Sequence, residues 1–142
     1  MPTYEGGCYC RAVRYTVTLS DPDKEARSSM CHCSNCKKFT GTPYGLTIKL
    51  PFASLSYTSS STLTEHTAPN GSSSLTRWFC STCGSGLAEV GEAAKGEYRY
   101  LFAGTLDDPE ADIARPKGEF FTRERVGWLA PIDGFQKREI KQ

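Results

Sequence analysis

Net charge is what this sequence lacks most plainly: 17 lysines and arginines stand against 16 aspartates and glutamates, leaving +1. That balance removes the electrostatic footprint that binding to nucleic acid or an anionic membrane usually leaves, so small molecules are the expected partners and nucleic acid is not. Long hydrophobic runs are also missing. No stretch approaches the roughly 18 apolar residues of a membrane span, and Met1–Gly7 has neither a basic nor an apolar segment of the secretory kind. The expectation is a soluble, cytoplasmic protein with no membrane partner. Internal repeats, linkers and helical periodicity beyond about three turns are absent as well, which argues against solenoids and helix bundles. The hydrophobic fraction, 38%, lies below the usual globular share, while 13 glycines and eight prolines suit turns. Together these predict one mainly β domain over residues 1–142, its core spanning about 6–130, with a modest core that bound metal can reinforce.

What the sequence has in quantity is clustered sulfur. Its seven cysteines form three close groups: Cys8/Cys10, Cys31/Cys33/Cys36 and Cys80/Cys83. In a reducing compartment such clusters read as metal ligands, and an odd total cannot pair off completely within one chain; partial disulfide pairing is the competing reading. Structural zinc takes four protein ligands, whereas catalytic zinc keeps three and leaves a position open. Seven thiols divide accordingly. Cys8, Cys10, Cys80 and Cys83 would form a structural site tying the N-terminal strand to a distant hairpin, and Cys31, Cys33 and Cys36 would hold a second zinc with one face free. His32, His66 or a carboxylate could instead close that second site. In an extended segment His32 points away from its cysteine neighbours and reads as a local hydrogen-bonding group.

Alternation of Val13, Tyr15 and Val17 with Arg14, Thr16 and Thr18 predicts a strand over Gly6–Leu19, in which Cys8 and Cys10 share a face. Residues 20–29 read as a polar connection. Ser34 is the expected cap of a short helical turn through Lys37, Lys38 and Phe39, ended by Gly41 and Pro43. Further strands are expected at Tyr44–Leu50, Ser54–Thr58, Thr62–Thr67, Ser74–Phe79, Leu87–Val90 and Glu97–Ala103, with a hairpin turn at Asn70-Gly71. The serine-rich stretch 54–61 also reads as a flexible loop. Trp78 and Phe79 read as core, Trp128 as core or pocket wall, and the tail as short segments around Phe120-Phe121 and Val126–Leu129.

Four ordered motifs carry a resemblance. Gly7-Cys8-Tyr9-Cys10 with Val13-Arg14-Tyr15, then Cys31-His32-Cys33-x-x-Cys36 with Lys37-Lys38 and Gly41, then Phe79-Cys80-x-x-Cys83-Gly84, then Gly104-Thr105-Leu106-Asp107-Asp108-Pro109 together resemble the glutathione-dependent formaldehyde-activating enzyme family, whose domain is shared with centromere protein V. The resemblance implies stacked β-sheets of the Mss4-like type, a four-cysteine structural zinc and a three-cysteine zinc in the substrate pocket. It implies a carbon-sulfur lyase-type reaction, joining glutathione or a related thiol to formaldehyde or another small carbonyl. Downstream the pattern departs: many members carry a His-Ile pair and a Lys-containing segment before a Trp, where this chain reads Ile113 to Phe121 and then Trp128. The metal sites are untouched by that departure, and the pocket wall is not.

If zinc holds a thiolate, three cysteine thiolates already outweigh its charge, and nearby cations must compensate. Lys37 and Lys38 are the expected ones, against a reading as a solvated helix face. Arg77 and Lys49 are candidates for glutathione's carboxylates, against a reading as surface charges. Because thiols and formaldehyde combine unaided, a thiol carrier or a zinc-stabilised binding module is the alternative to an enzyme. Metal analysis of protein purified without chelator should find about two zinc ions per chain; one ion, with three cysteines freely alkylated, would rule out the four-plus-three division.

Overall fold

A computed structural model describes residues 1–132, 134 and 136–138. Its first strands, β1 (Thr3–Gly7) and β2 (Arg14–Thr18), pair antiparallel around a loop that contains Cys8 and Cys10. The single strand expected over Gly6–Leu19 is therefore two strands and a turn. The polar connection that follows holds a one-turn helix, α1 (Pro22–Glu25), and runs directly into β3 (Arg27–Cys31). The helix α2 (Ser34–Thr40) is capped by Cys33, whose sulfur accepts from the Cys36 amide, in place of the expected Ser34. Gly41, at φ 66°, ends it as expected.

Next come β4 (Gly45–Pro51), β5 (Leu55–Ser59), β6 (Leu63–Asn70), β7 (Ser73–Cys80), β8 (Gly86–Gly91), β9 (Tyr98–Phe102), β10 (Pro116–Phe120) and β11 (Gln136–Arg138). The serine-rich stretch is not a loop: β5 pairs with β2 to complete a three-stranded sheet, β1-β2-β5. The other strands form one sheet of order β11-β10-β3-β4-β9-β8-β7-β6. Asn70-Gly71 makes the β6–β7 turn, with Gly71 at φ 67°. In the tail, β10 pairs parallel with β3, placing Phe120 opposite Cys31. Sequence reasoning missed this pairing because a five-residue strand containing a proline and a glycine carries little β signal.

The main core lies where the small sheet packs on the large one. Val13, Tyr15, Val17 and Leu19 meet Ile48, Leu50, Leu87 and Leu101, all at 1% exposure or less. The small sheet is tied at Gly6 to the segment that follows β9, through a bridge to Leu106. A Cβ there would lie 2.4 Å from the Thr105 carbonyl oxygen and 2.2 Å from the Tyr15 hydroxyl, so only glycine fits. Strand alternation then assigns the opposite face of the large sheet: Ile48 and Leu50 point to the core, and Thr47 and Lys49 point away.

Trp78 and Phe79 are half-buried and lie outside the main core, and Trp128 is 76% exposed, neither core nor cavity wall. On the same strand the buried residues are Thr76, Cys80 and the charged Arg77. In urea denaturation, Leu101→Ala should cost about 2–5 kcal/mol through lost contacts and a residual cavity, whereas Trp128→Ala should stay within about 0.5 kcal/mol. Equal effects would place the core elsewhere.

Candidate functional site

Four cysteines converge from two turns that the sequence places seventy residues apart. In the β1–β2 turn the Cys8 amide donates to the Val13 carbonyl at 3.1 Å, the Arg11 amide donates to the Cys8 carbonyl at 3.0 Å, and Arg11 takes φ 70°. The Val13 amide points at the Cys8 sulfur, 3.2 Å away. After β7, the Gly84 amide donates to the Cys80 carbonyl at 2.8 Å with Gly84 at φ 79°, a conformation that favours glycine. The expectation that Cys8 and Cys10 share a strand face gave the right neighbours for the wrong reason: a turn brings them together. The four sulfurs lie within 4.8 Å of one another. Cys8–Cys10 and Cys10–Cys80 are 3.6 and 3.7 Å apart. A tetrahedron of sulfurs about 2.3 Å from zinc has edges of about 3.8 Å. The donor set and its spacing therefore fit zinc.

The other three thiols come from one short segment. Cys31 ends β3, Cys33 caps α2 and Cys36 sits in its first turn, with the Cys36 amide 3.4 Å from the Cys33 sulfur and Cys31 and Cys33 sulfurs 3.4 Å apart. These sulfurs again lie within 4.8 Å of one another, and among the described residues no histidine or carboxylate joins them. His66 is exposed on β6. His32 turns away into the interior, where Nε2 donates to Glu119 Oε1 at 2.9 Å. It is a hydrogen-bonding group as expected, but its partner lies on β10 and not nearby in sequence. Arg125 completes this network, donating to Glu119 Oε2 at 2.7 Å. Desolvation works against the Glu119 charge, yet Arg125 and then His32 outweigh it and hold the carboxyl below its usual range.

Crowding three thiols without a cation distorts their acidity. Hydrogen bonds from Cys31 and then Cys36 pull Cys33 far down, to about 2. The Cys33 sulfur, against relief from Cys36, pushes Cys31 up to about 12. The Cys31 and Cys33 sulfurs, with burial, drive Cys36 up further. One thiolate is thus held by two thiol donors, a group that a dication satisfies by displacing the protons. Cys10 in the four-cysteine group behaves alike: the Ala12 amide pulls it down, but desolvation and the neighbouring sulfurs raise it to about 12.

Beside Cys31 and Cys36 opens a cavity of about 460 Å³. Its floor is a single rank of facing residues across the sheet, Arg27 on β3, Lys49 on β4, Tyr100 on β9 and Glu89 on β8, and Phe120 and Phe121 form a wall. The rank continues on β7 to Arg77, whose Nε donates to Glu89 Oε2 at 2.9 Å and whose guanidinium lies 4.8 Å from the Phe39 ring. Arg77 is thus a buried ion-pair partner and no surface charge, and it does not line the cavity. Burial raises the Glu89 carboxyl; Arg77 pulls it back and the Cys33 charge opposes that pull. Lys49 lines the cavity with its ammonium 4.1 Å from the Tyr98 ring. Lys37 donates to the Glu124 carbonyl, Lys38 is exposed, and neither lines the cavity. Sequence reasoning missed Arg27, Glu89 and Tyr100, whereas it associated the segment Ile113 to Phe121 with the pocket wall. A period-two count from Lys49 marks its own face of β4, but only the strand register says which residues of other strands lie beside it.

Comparison with known proteins identifies the family. A family model described as glutathione-dependent formaldehyde-activating enzyme matches residues 3–124. The chain belongs to this family. It is also 29% identical over 110 residues to an uncharacterized lyase of Schizosaccharomyces pombe, covering 73% of this chain and 72% of the relative. A crystal structure of a Rhodobacter sphaeroides protein superposes with a TM-score of 0.55 at 23% identity, over 72% of this chain and 87% of that one, a likeness of fold. These findings support an enzyme of lyase type, and no helix among the described residues is long and apolar enough to cross a membrane.

Loading zinc into the three-cysteine group, with the other group already filled, should release about two protons per chain at neutral pH, because Cys31 and Cys36 carry protons and Cys33 does not. Affinity should therefore fall as pH falls. Calorimetry in buffers of different ionisation enthalpy measures this; release near zero would mean the thiols are not arranged as one thiolate and two donors.

Proposed function

We propose that this family member joins glutathione, or a related thiol, to formaldehyde or another small carbonyl at the Cys31/Cys33/Cys36 group, while Cys8, Cys10, Cys80 and Cys83 hold a structural zinc. The observation that carries the reading is the asymmetry between the two groups. Four sulfurs complete a tetrahedron, whereas three sulfurs leave a position free, and Cys31 and Cys36 line a cavity large enough for a peptide-sized thiol. Zinc bound by the three would supply electrostatic stabilisation of a fourth, substrate thiolate.

The chain's own residues supply the rest. Arg27 and Lys49 place two cations on the cavity floor, where they attract the thiol substrate's carboxylates and offset the negative charge that three cysteine thiolates bring. These take over the compensating role expected of Lys37 and Lys38, whose side chains lie outside the cavity. The aromatic wall of Phe120 and Phe121 limits water at the reacting carbon. In the reaction the thiol sulfur bonds to the carbonyl carbon, the carbonyl π pair moves onto oxygen, and the proton lost from sulfur ends on that oxygen. No further reactant is needed.

Calorimetry with glutathione, followed by formaldehyde turnover measured against the uncatalysed background, tests the reading. Wild-type protein should bind glutathione at millimolar concentration or below and exceed the background. Cys36→Ser should abolish both while remaining folded, and Cys83→Ser should unfold the chain. If the two variants behave alike, the division into structural and open sites is wrong; tight binding without turnover would mark a thiol carrier instead.

A further inference from the structure

The face of the large sheet turned away from the thiol cavity carries a second, separate pocket. Along β7, β8 and β9, Arg77, Glu89 and Tyr100 belong to the cavity-side rank, so their chain neighbours Trp78, Val90 and Arg99 project from the other face. There they join Phe52 and Tyr57 around a pocket of about 290 Å³, which Tyr98, its ring turned to Lys49, also borders. Buried Val90 forms part of its apolar lining. The cysteine groups contribute nothing to it, and the proposed reaction gives it no task.

Its charge is one-sided. Arg99 and Lys95 line the pocket and no carboxylate does. The Arg99 guanidinium is stacked 4.0 Å from the Phe52 ring centre and 5.6 Å from that of Tyr57, with Nη1 donating to the Leu55 carbonyl at 3.2 Å. Arg14, Arg77 and Arg125 each have a carboxylate within ion-pair distance, whereas Arg99, half-buried, has none among the described residues. A partly desolvated guanidinium ordinarily acquires an anionic partner, and its fork of donors matches a carboxylate in two-point fashion. Aromatic walls favour a flat ring, and the volume lies near the lower limit of about 300 Å³ for ligand clefts, which suits one or two rings.

We infer that this pocket binds a small aromatic carboxylate, its ring stacked between Trp78 and Tyr57 and its carboxylate paired with Arg99. Lys95, exposed at the rim, adds attraction without a fixed contact. Such a ligand would be chemically unlike glutathione and would occupy its site while the thiol cavity is free or filled.

The test uses the full chain loaded with zinc, and 1-naphthoate as probe against its uncharged analogue 1-naphthylmethanol. Calorimetry should show one 1-naphthoate per chain, and both the uncharged analogue and Arg99→Gln should weaken binding at least about tenfold. Proton NMR should show through-space contacts from the probe to the Trp78 indole, and glutathione affinity in the thiol cavity should be the same with and without probe. Equal affinity for the charged and uncharged probes, undiminished binding to a folded Arg99→Gln, or contacts to Phe120 and Phe121 instead of Trp78 would each overturn the assignment. Since Arg99 also braces Phe52 and Tyr57, that variant's fold must be checked by circular dichroism. Should it unfold, the wild-type contacts to Trp78 and the two-probe comparison decide alone.

Discussion

Sulfur crowding is the constraint on which the rest of the structure depends. Thiol sulfurs 3.6 and 3.7 Å apart gain little from one another, and bringing two loops seventy residues apart to that spacing costs chain entropy. A cation at the centre would convert the cost into a cross-link between the β1–β2 turn and the end of β7. The fold has reason to need one. Its hydrophobic share is low, and its main core is a single layer between a three-stranded sheet and part of an eight-stranded one. The amide-to-sulfur contacts at Cys8 and Cys33 show the backbone already arranged to receive negative charge on sulfur.

The same sheet that buries its inner face against β2 presents polar residues on the outer one, and strand parity does both at once. Ile48 and Leu50 fill the core because Lys49 between them cannot. With β3, β4, β9, β8 and β7 in register, one residue per strand then falls into line, and charged groups scattered from Arg27 to Glu89 in the sequence become neighbours. The Arg77–Glu89 pair is held by that line at the expense of desolvation, and it removes Arg77 from the cations available to a ligand.

How much of this was legible beforehand follows from the range of each signal. The two cysteine groups, the α2 turn with its Gly41 stop, the Asn70-Gly71 hairpin and the buried Val13, Tyr15 and Val17 rest on patterns a few residues long, and each was readable. What was not readable depends on pairing between distant strands. The serine-rich stretch 54–61 looks like a flexible loop until β2 lies beside its β5 part, Arg27 looks like part of a polar connection until β4 does, and Trp78 looks like core until the position of the small sheet leaves it at an edge. Cys33 displaced Ser34 as the helix cap because a sulfur already fixed among other sulfurs is the better-placed acceptor for the Cys36 amide.

Phe120 and Phe121 end the segment in which the sequence departs from the motifs of its resemblance, and they form the cavity wall. β10 is held to β3 mainly through backbone pairing, with the His32 amide donating to the Phe120 carbonyl and Glu119 anchored between His32 and Arg125. None of these contacts uses the Phe120 or Phe121 side chain. Phe121 takes φ 55°, a conformation costly for a residue with a Cβ, and it lines the cavity. Backbone and buried network thus fix where the wall stands, and neither uses the side chains that face the cavity. The cysteines differ, because each is tied both to its turn and to its partner sulfurs. In the proposed reaction, one short strand would therefore separate the part of the site that sets the chemistry from the part that chooses what undergoes it.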